Sequence, residues 1–298
     1  MPDAAPEFGP APEFGPDADR WALRLERRYA HPVDKVWRAV TQPAHLAQWF
    51  PSTVEVDLRV GGAMRFSFGE GGPEITGEVA ECDPPRVFAF TWGDDALRFE
   101  LEPDGDGTRF VLSTTFDDRY GAPSYAAGWD MCLAALAPVL AGEPVPPSGR
   151  AVDRHEELVA RFGLDRPEIA DGPAGWSARW ERQLTCPAEV AWDLFLGGLP
   201  APSVGEEFRA PAAQEVVLGT VTEADRPRVL AFDVAPAEPG DTARLELRDG
   251  TGHGARLVLV VTGADESARD AAVDQWGAGA VVHVAEQAAA WAAGTLAG

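Results

Sequence analysis

HPVDKVWRAVTQPAHLAQWF, His31 to Phe50, has a weaker echo later in the chain: CPAEVAWDLFLGGLP, Cys186 to Pro200. Pro32 opens a helix at PVDKVWRAV, since a first-turn proline loses no hydrogen bond and Asp34 sits near the positive helix end. Val33, Val36, Trp37 and Val40 fall on one side, and a short second helix, PAHLAQWF, follows Thr41, which can cap it. Upstream, LRLERRY alternates and places Leu23, Leu25, Arg27 and Tyr29 on one face of a half-buried strand. A strand followed by a helix is therefore the unit that is written twice, and the second copy stops before the Trp-Phe pair.

Downstream of Phe50 the pattern switches to period two. AMRFSFG, EITGEVAEC, RVFAFTW, LRFELE and RFVLSTTF each carry apolar residues at every second position, separated by GEGGP, DPP and DGDG turns. They predict an antiparallel sheet with one buried face. PSYAAGWDMCLAALAPVLAG then has helical spacing, with Tyr125, Trp129, Cys132, Leu133, Leu136 and Leu140 in line and Pro138 expected to kink or end it. Only this helix is long enough to cover the sheet.

The second half restarts the pattern. RWERQLTCPAEVAW aligns without gaps to RLERRYAHPVDKVW, pairing Arg182 with Arg27 and Trp192 with Trp37. GTVTEADRPRVLAF follows GEVAECDPPRVFAF, and GARLVL follows GTRFVL, with Trp276 in the place of Trp129. Matches in this order point to internal duplication. The second copy lacks about 13 residues where LAQWFPSTVEVDLRVGGAMRFSF stands in the first, by the change in offset between blocks. That loss is expected to shrink or fill its interior.

The rest of the chain reads as connection. Residues 1–19 contain APEFGP twice, and Pro and Gly are expected to prevent helix and strand there, giving a disordered tail; docking of Phe8 or Phe14 into a groove is the alternative. Residues 143–175 read as a Pro/Gly-rich linker with a short helix, DRHEELVARF. The domains so defined are 20–142 and 176–298.

Composition narrows the function classes. Hydrophobic residues make up 45% of 298 residues, with 14 Phe and 10 Trp, enough for packed cores. The net charge of −23 leaves no basic stripe, which argues against nucleic acid or an anionic membrane as partner. Lys35 is the only lysine, a bias attributable to coding in a GC-rich genome. Cys82, Cys132 and Cys186 have no paired spacing, as expected in a reducing cytoplasm. Neither a leader pattern nor a run approaching 18 apolar residues is seen, so a soluble cytoplasmic protein is expected.

At this point the motifs are recognisable. HPVDKVWRAVTQPAHLAQWF, DLRVGGAMRFSF, GEVAECDPPRVFAFTW, GTRFVLSTTF and GWDMCLAAL resemble the family named after the activator of the Hsp90 ATPase, within the START-like, SRPBCC helix-grip superfamily. Residues 21 to about 142 carry the likeness, and residues 176–296 resemble a degenerate second copy. The resemblance implies an α+β fold of two helix-grip domains, each a curved antiparallel sheet around a long C-terminal helix with an elongated cavity between. Relatives bind lipids, hormones, polyketides or antibiotics, and some cyclise polyketides; the family shares no universal catalytic residue. The co-chaperone itself grips Hsp90 largely through a separate N-terminal domain, which the leader of this chain cannot supply.

Conventional catalytic patterns are absent. His31, His45, His155, His253 and His283 form no HxxxH or HExxH motif, and GxSxG, CxxC and P-loop patterns do not occur, so neither metal nor cofactor is expected. A cysteine on the apolar side of a helix, as at Cys132, reads as inert filler. Arg27 faces inward and must meet a carboxylate, water or a ligand, or else lay its stem along the rim with its head in solvent.

The candidate ligand-binding set is Arg27, Tyr29, Trp49, Phe66, Phe68, Trp92, Phe99, Phe116, Tyr125 and Trp129, all in the first domain. Trp37 and Trp192 are expected behind the sheet. The expected function is binding of an apolar or aromatic small molecule for sequestration, transport or self-protection. A polyketide aromatase/cyclase is the enzyme alternative, drawing on Arg27, Tyr29, Tyr125 and His31. A chaperone-regulator type of interaction module, with a protein partner of unknown kind, is the third and predicts an exposed apolar patch.

Overall fold

A computed structural model describes residues 8–146, 151–252 and 254–295, and the chain divides into two compact units, 1–151 and 152–298. The fold is α+β, each unit an antiparallel sheet followed by a helix, as in a helix-grip domain.

The first unit contains β1 (Glu13–Asp17), β2 (Arg20–Tyr29), α1 (Val33–Thr41), α2 (Pro43–Leu46), β3 (Thr53–Val56), β4 (Ala63–Ser67), β5 (Glu74–Asp83), β6 (Val87–Trp92), β7 (Asp95–Asp104), β8 (Gly107–Phe116) and α3 (Ala122–Ala141). Its eight strands run in the order β1-β2-β8-β7-β6-β5-β4-β3. The second unit contains α4 (Ala151–Arg161), β9 (Glu168–Gly172), β10 (Gly175–Gln183), α5 (Ala188–Phe195), β11 (Glu207–Ala210), β12 (Ala213–Asp225), β13 (Val229–Val234), β14 (Thr242–Asp249), β15 (Ala255–Gly263), α6 (Arg269–Trp276) and α7 (His283–Ala292). Its seven strands run β9-β10-β15-β14-β13-β12-β11.

The two orders coincide strand for strand except that β3 has no counterpart. The ladders agree residue by residue: Arg27 pairs with Phe110 and Arg182 with Leu257, while both long strands bulge at matching positions, Val79/Glu81 and Val221/Glu223. Gly77 and Gly219 mark the same bend. A Cβ would lie 1.8 Å from the Thr91 carbonyl oxygen at the first and 2.2 Å from that of Asp233 at the second, so neither site admits a side chain.

Three expectations need correction. Residues 13–17 do form a strand: β1 is the sheet edge, paired to β2, where Pro16 opposite Trp21 has no ladder bond to spoil on its outer side. Likewise the stretch read as a linker supplies, besides its expected short helix (α4), the edge strand β9, which pairs with β10 as β1 pairs with β2. Pro138 does not end α3, which runs to Ala141 and is capped by Gly142 in the left-handed conformation. Residues 1–7 and His253 lie outside the described residues.

Arg119–Ala141, a short 3-10 turn plus α3, is long and apolar enough by length and composition to cross a membrane. In the first unit it packs against β2 and α1, burying Ala126, Trp129, Leu133, Leu136 and Leu140. The second unit's closing helix is interrupted: α6 and α7 are joined by a π-helical segment, Gly277–Val282.

Candidate functional site

In the first unit the inward residues of the strands close on one another. Phe66 lies 5.9 Å from Phe90, 5.4 Å from Trp92 and 6.1 Å from Phe50 between ring centroids. Phe68 stacks on Trp92 at 8° between planes, and Phe50 and Trp92 both meet Trp129 of α3, at 5.5 and 5.9 Å. Further in, Phe99 contacts Trp49, Phe88, Phe90 and Phe110. Such offset and edge-on pairs add to the burial energy of each ring. Phe66, Phe99 and Phe116 are fully buried, whereas Phe68, Trp92 and Tyr125 keep partial exposure.

Most polar groups expected to face a ligand are engaged by the protein. The Arg27 guanidinium is 7% exposed and forms an ion pair with Asp130 of α3, which is wholly buried. Its Nη1 donates to the backbone carbonyls of Glu26 (2.7 Å) and Pro10 (3.3 Å). Neither a rim position in solvent nor an open ligand contact describes it. Tyr29 Oη donates to the Leu133 carbonyl at 3.2 Å, and burial pushes its phenol far above the usual range. Trp49 Nε1 donates to the Ala39 carbonyl at 3.0 Å.

Tyr125 packs 4.6 Å from Phe116 and hydrogen-bonds to Asp95, whose carboxyl is raised by burial despite Arg20 and Tyr125 nearby. Burial also raises the Cys132 thiol to about 12, which leaves it protonated and inert. Among the described residues of the first unit, Trp92 Nε1 and the Ser52 hydroxyl are buried without a hydrogen-bond partner.

The structure thus brings Phe66, Phe68, Trp92 and Trp129 to one end, with Trp49 and Phe99 behind them. It sets Phe116 and Tyr125 apart as a pair and removes Arg27 and Tyr29 to structural duties. Trp37 is not behind the sheet, because its ring meets Phe88 edge-on at 6.4 Å and joins the same core. Thr41 donates to its own helix at the Trp37 carbonyl, and Gln42 stands at the start of α2.

The second unit differs at this end. Register equates Phe208 with Met64, since they face Gly219 and Gly77 in turn. Past Phe208 the β11–β12 ladder shifts register twice and brings Ala210 opposite Ala213, whereas Phe66 lies opposite Ile75. This end of the second unit carries Ala210 and Ala212 in place of ring side chains, and Val234 stands where the first unit has Trp92. Nothing replaces Phe50, because the chain passes from α5 to β11 without β3. A cleft of about 350 Å³ occupies this place. Its walls are Phe195 and Leu194 of α5, Phe208 and Ala210 of β11, Val216 and Leu218 of β12, and Trp276, Gly279, Ala280 and Val284 across the π-helical segment.

Glu238, Gln275 and His283 are its polar lining, with Gln275 Nε2 donating to Glu238 Oε2 at 2.7 Å. Trp276 Nε1 is held by the Pro239 carbonyl at 3.0 Å, which fixes the indole against Phe232 at 5.6 Å. The expected shrinking or filling of the second interior is therefore not what the structure shows. The missing segment carried filler, and its absence opened the space.

Away from the cleft, Arg182 repeats the inward position of Arg27 but meets Glu156 of α4. His155 beside it is 3% exposed, and burial with the neighbouring Arg182 charge lowers its imidazole to about 4. Among the described residues no group of three His, Cys, Asp or Glu side chains is placed to hold a metal ion.

Residues 30–141 match the family model described as activator of Hsp90 ATPase homolog 1-like protein. Among solved structures, a conserved protein of unknown function from Enterococcus faecalis, EF2215, is similar at 22% identity over 51% of this chain and 90% of that one, with a TM-score of 0.46. CalU16 from Micromonospora echinospora is similar at 28% identity over 51% of this chain and 94% of that one, with a TM-score of 0.42. MLL2253 from Mesorhizobium loti shares 24% identity over 41% and 97%, with a TM-score of 0.38. No curated protein matches this chain.

Proposed function

Because residues 30–141 match the model of the activator of Hsp90 ATPase homolog 1-like family, whose fold suits a ligand-binding or cyclase-like domain, we propose that this protein binds an apolar or aromatic small molecule. The observation that carries this reading is the 350 Å³ cleft of the second unit, open between its sheet and its closing helix. A cavity of that volume with mostly apolar walls and a few polar fixtures has the proportions of a small-ligand site. π-helical turns also recur at functional sites, and this one forms part of the wall.

The first unit offers a second place at its half-exposed aromatic end. There Trp92 Nε1 lacks an acceptor, and a ligand oxygen would supply one. Occupation of that end requires Phe68 or Phe50 to swing aside. The cyclase alternative has less support in the first unit, where Arg27, Tyr29 and Tyr125 are already bonded to protein groups.

The test is titration of the intact chain with 1-methoxynaphthalene, a neutral probe without a donor, followed by the indole N–H resonances in ¹H–¹⁵N spectra. The Trp276 resonance is expected to shift with saturation. Gly279→Phe, placed where a Cβ meets nothing within 4 Å, is expected to abolish that shift. A probe that moves no indole resonance, or one that moves Trp276 equally in the variant, would overturn the assignment.

A further inference from the structure

We infer that the second-unit cleft selects aromatic molecules of about naphthalene size that carry a hydrogen-bond donor, an amine above all or a hydroxyl, and that Glu238 is the residue that reads the donor. The inference rests on the reading of the cleft as a ligand site. Apart from Gln275 and His283 the rest of the cleft is largely hydrocarbon: Phe195, Phe208, Leu218 and Trp276 offer area but no direction. Orientation in such a site comes from its few polar groups.

Glu238 sits in the loop between β13 and β14, partly buried, at the mouth formed with α6. The Gln275 amide donates to one of its oxygens at 2.7 Å. That bond holds the carboxylate in place from the helix side, and a carboxylate so held has a second oxygen able to accept from a guest. Hydrogen bonds to an ionised acceptor are roughly twice as strong as neutral ones, and more so where apolar walls exclude water.

The same charge works against anions. A carboxylate guest would enter a site already carrying one, on a chain of net charge −23 that contains 48 acidic residues. Rejection of acids and preference for amines thus have one origin. Size follows from the volume: about 350 Å³ is at the small end of ligand pockets, which suits one fused ring pair and a short substituent. At the corresponding end of the first unit Phe66, Phe68 and Trp92 pack against one another as a ring cluster.

Three isosteric probes test this on the intact chain: 1-naphthylmethylamine, 1-methoxynaphthalene and 1-naphthoate, each followed by the Trp276 indole resonance and by calorimetry. The amine is expected to bind about tenfold or more tighter than the ether, with the naphthoate weaker than both. Glu238→Gln keeps the shape and an acceptor but removes the charge. It is expected to cut the amine preference to a few-fold and to relax rejection of the naphthoate by a similar factor, with affinity for the ether unchanged.

An unaltered amine preference in Glu238→Gln overturns the role of Glu238, and equal affinity for all three probes in the wild type overturns the selectivity. Both outcomes leave the cleft itself standing if Gly279→Phe still blocks the ether. Failure of the ether to bind at Trp276, or its retention in Gly279→Phe, removes the underlying reading instead. Thermal unfolding of both variants within a few degrees of the wild type shows that each has folded.

Discussion

Where β4 and the segment just after it carry Phe66 and Phe68 in the first unit, β11 and the turn after it carry Ala210 and Ala212 in the second. Around the first pair the chain adds Phe50, and the end of the sheet closes as a stack of rings against α3. Around the second pair it omits the segment that would hold such a ring, and α6–α7 loosens into a π turn beside an open cleft. One framework therefore has two finishes. The comparison teaches that in a helix gripped by a sheet, the residues nearest the mouth decide between core and cavity, while strand order stays the same.

A second contrast runs through the inward arginines. Arg27 is answered by Asp130 from the long helix, which is 0% exposed, and Arg182 by Glu156 from α4, which keeps some access to water. Removing one member of a fully buried pair strands the other charge, at a cost of about 3–5 kcal/mol. Asp130→Ala is expected to lower the stability of the first unit by that much, and Glu156→Ala to cost the second unit clearly less. Hydrogen exchange in increasing urea, read on peptides from residues 20–141 and 176–292, measures each unit separately. Equal losses would erase the distinction.

The closed and open ends can be compared by truncation. Phe66→Ala deletes a ring enclosed by Phe50, Phe90 and Trp92, and a buried Phe→Ala change costs roughly 3 kcal/mol or more. Leu218→Ala removes a half-buried side chain that already borders a void, so it loses fewer contacts, on the order of 1 kcal/mol. Urea midpoints at constant slope give both numbers. A costlier Leu218→Ala would mean that the cleft closes in solution.

Much of this was legible in the sequence. The alternation of LRLERRY and RFVLSTTF shows which side chains face inward, and the helical spacing of PSYAAGWDMCLAALAPVLAG marks the helix that covers them. Three features escaped. Asp130 follows Trp129 in an apolar helix, and a carboxylate in that setting was the available signal for the partner of Arg27. The rule that Pro and Gly forbid strands fails at a sheet edge, where one side of the backbone needs no partner, so APEFGP could become β1. Finally, a deletion reads alike whether it removes wall or filler. Only the contacts of Phe50 with Trp129 and Phe66 reveal that the missing stretch supplied filler.

A pH-dependent comparison concerns what surrounds the second arginine. His155 is lowered from 6.5 to about 4, chiefly by burial and secondarily by Arg182, so the folded unit holds it neutral. Its contribution is present in full above pH 6.5, where the unfolded imidazole is neutral too. It is lost as the pH falls from 6.5 through 4, because only the unfolded chain takes up the proton readily. The loss amounts to about 3 kcal/mol at most, at 1.36 kcal/mol for each pH unit of separation. Glu156 acts with the opposite sign: burial raises its carboxyl, so folding favours its protonated form and stability is regained as the pH falls through the same region. The wild-type curve alone would mix the two. The difference between wild type and His155→Gln isolates the imidazole, and it is expected to be flat above pH 6.5 and to turn against the wild type below it. The same substitution should leave peptides of the first unit unaffected at every pH, because its arginine is covered by Asp130 and the Pro10 carbonyl rather than by a histidine. A difference that does not vary with pH would show that the buried imidazole is solvated through local opening, and that the two arginines are sheltered to the same degree after all.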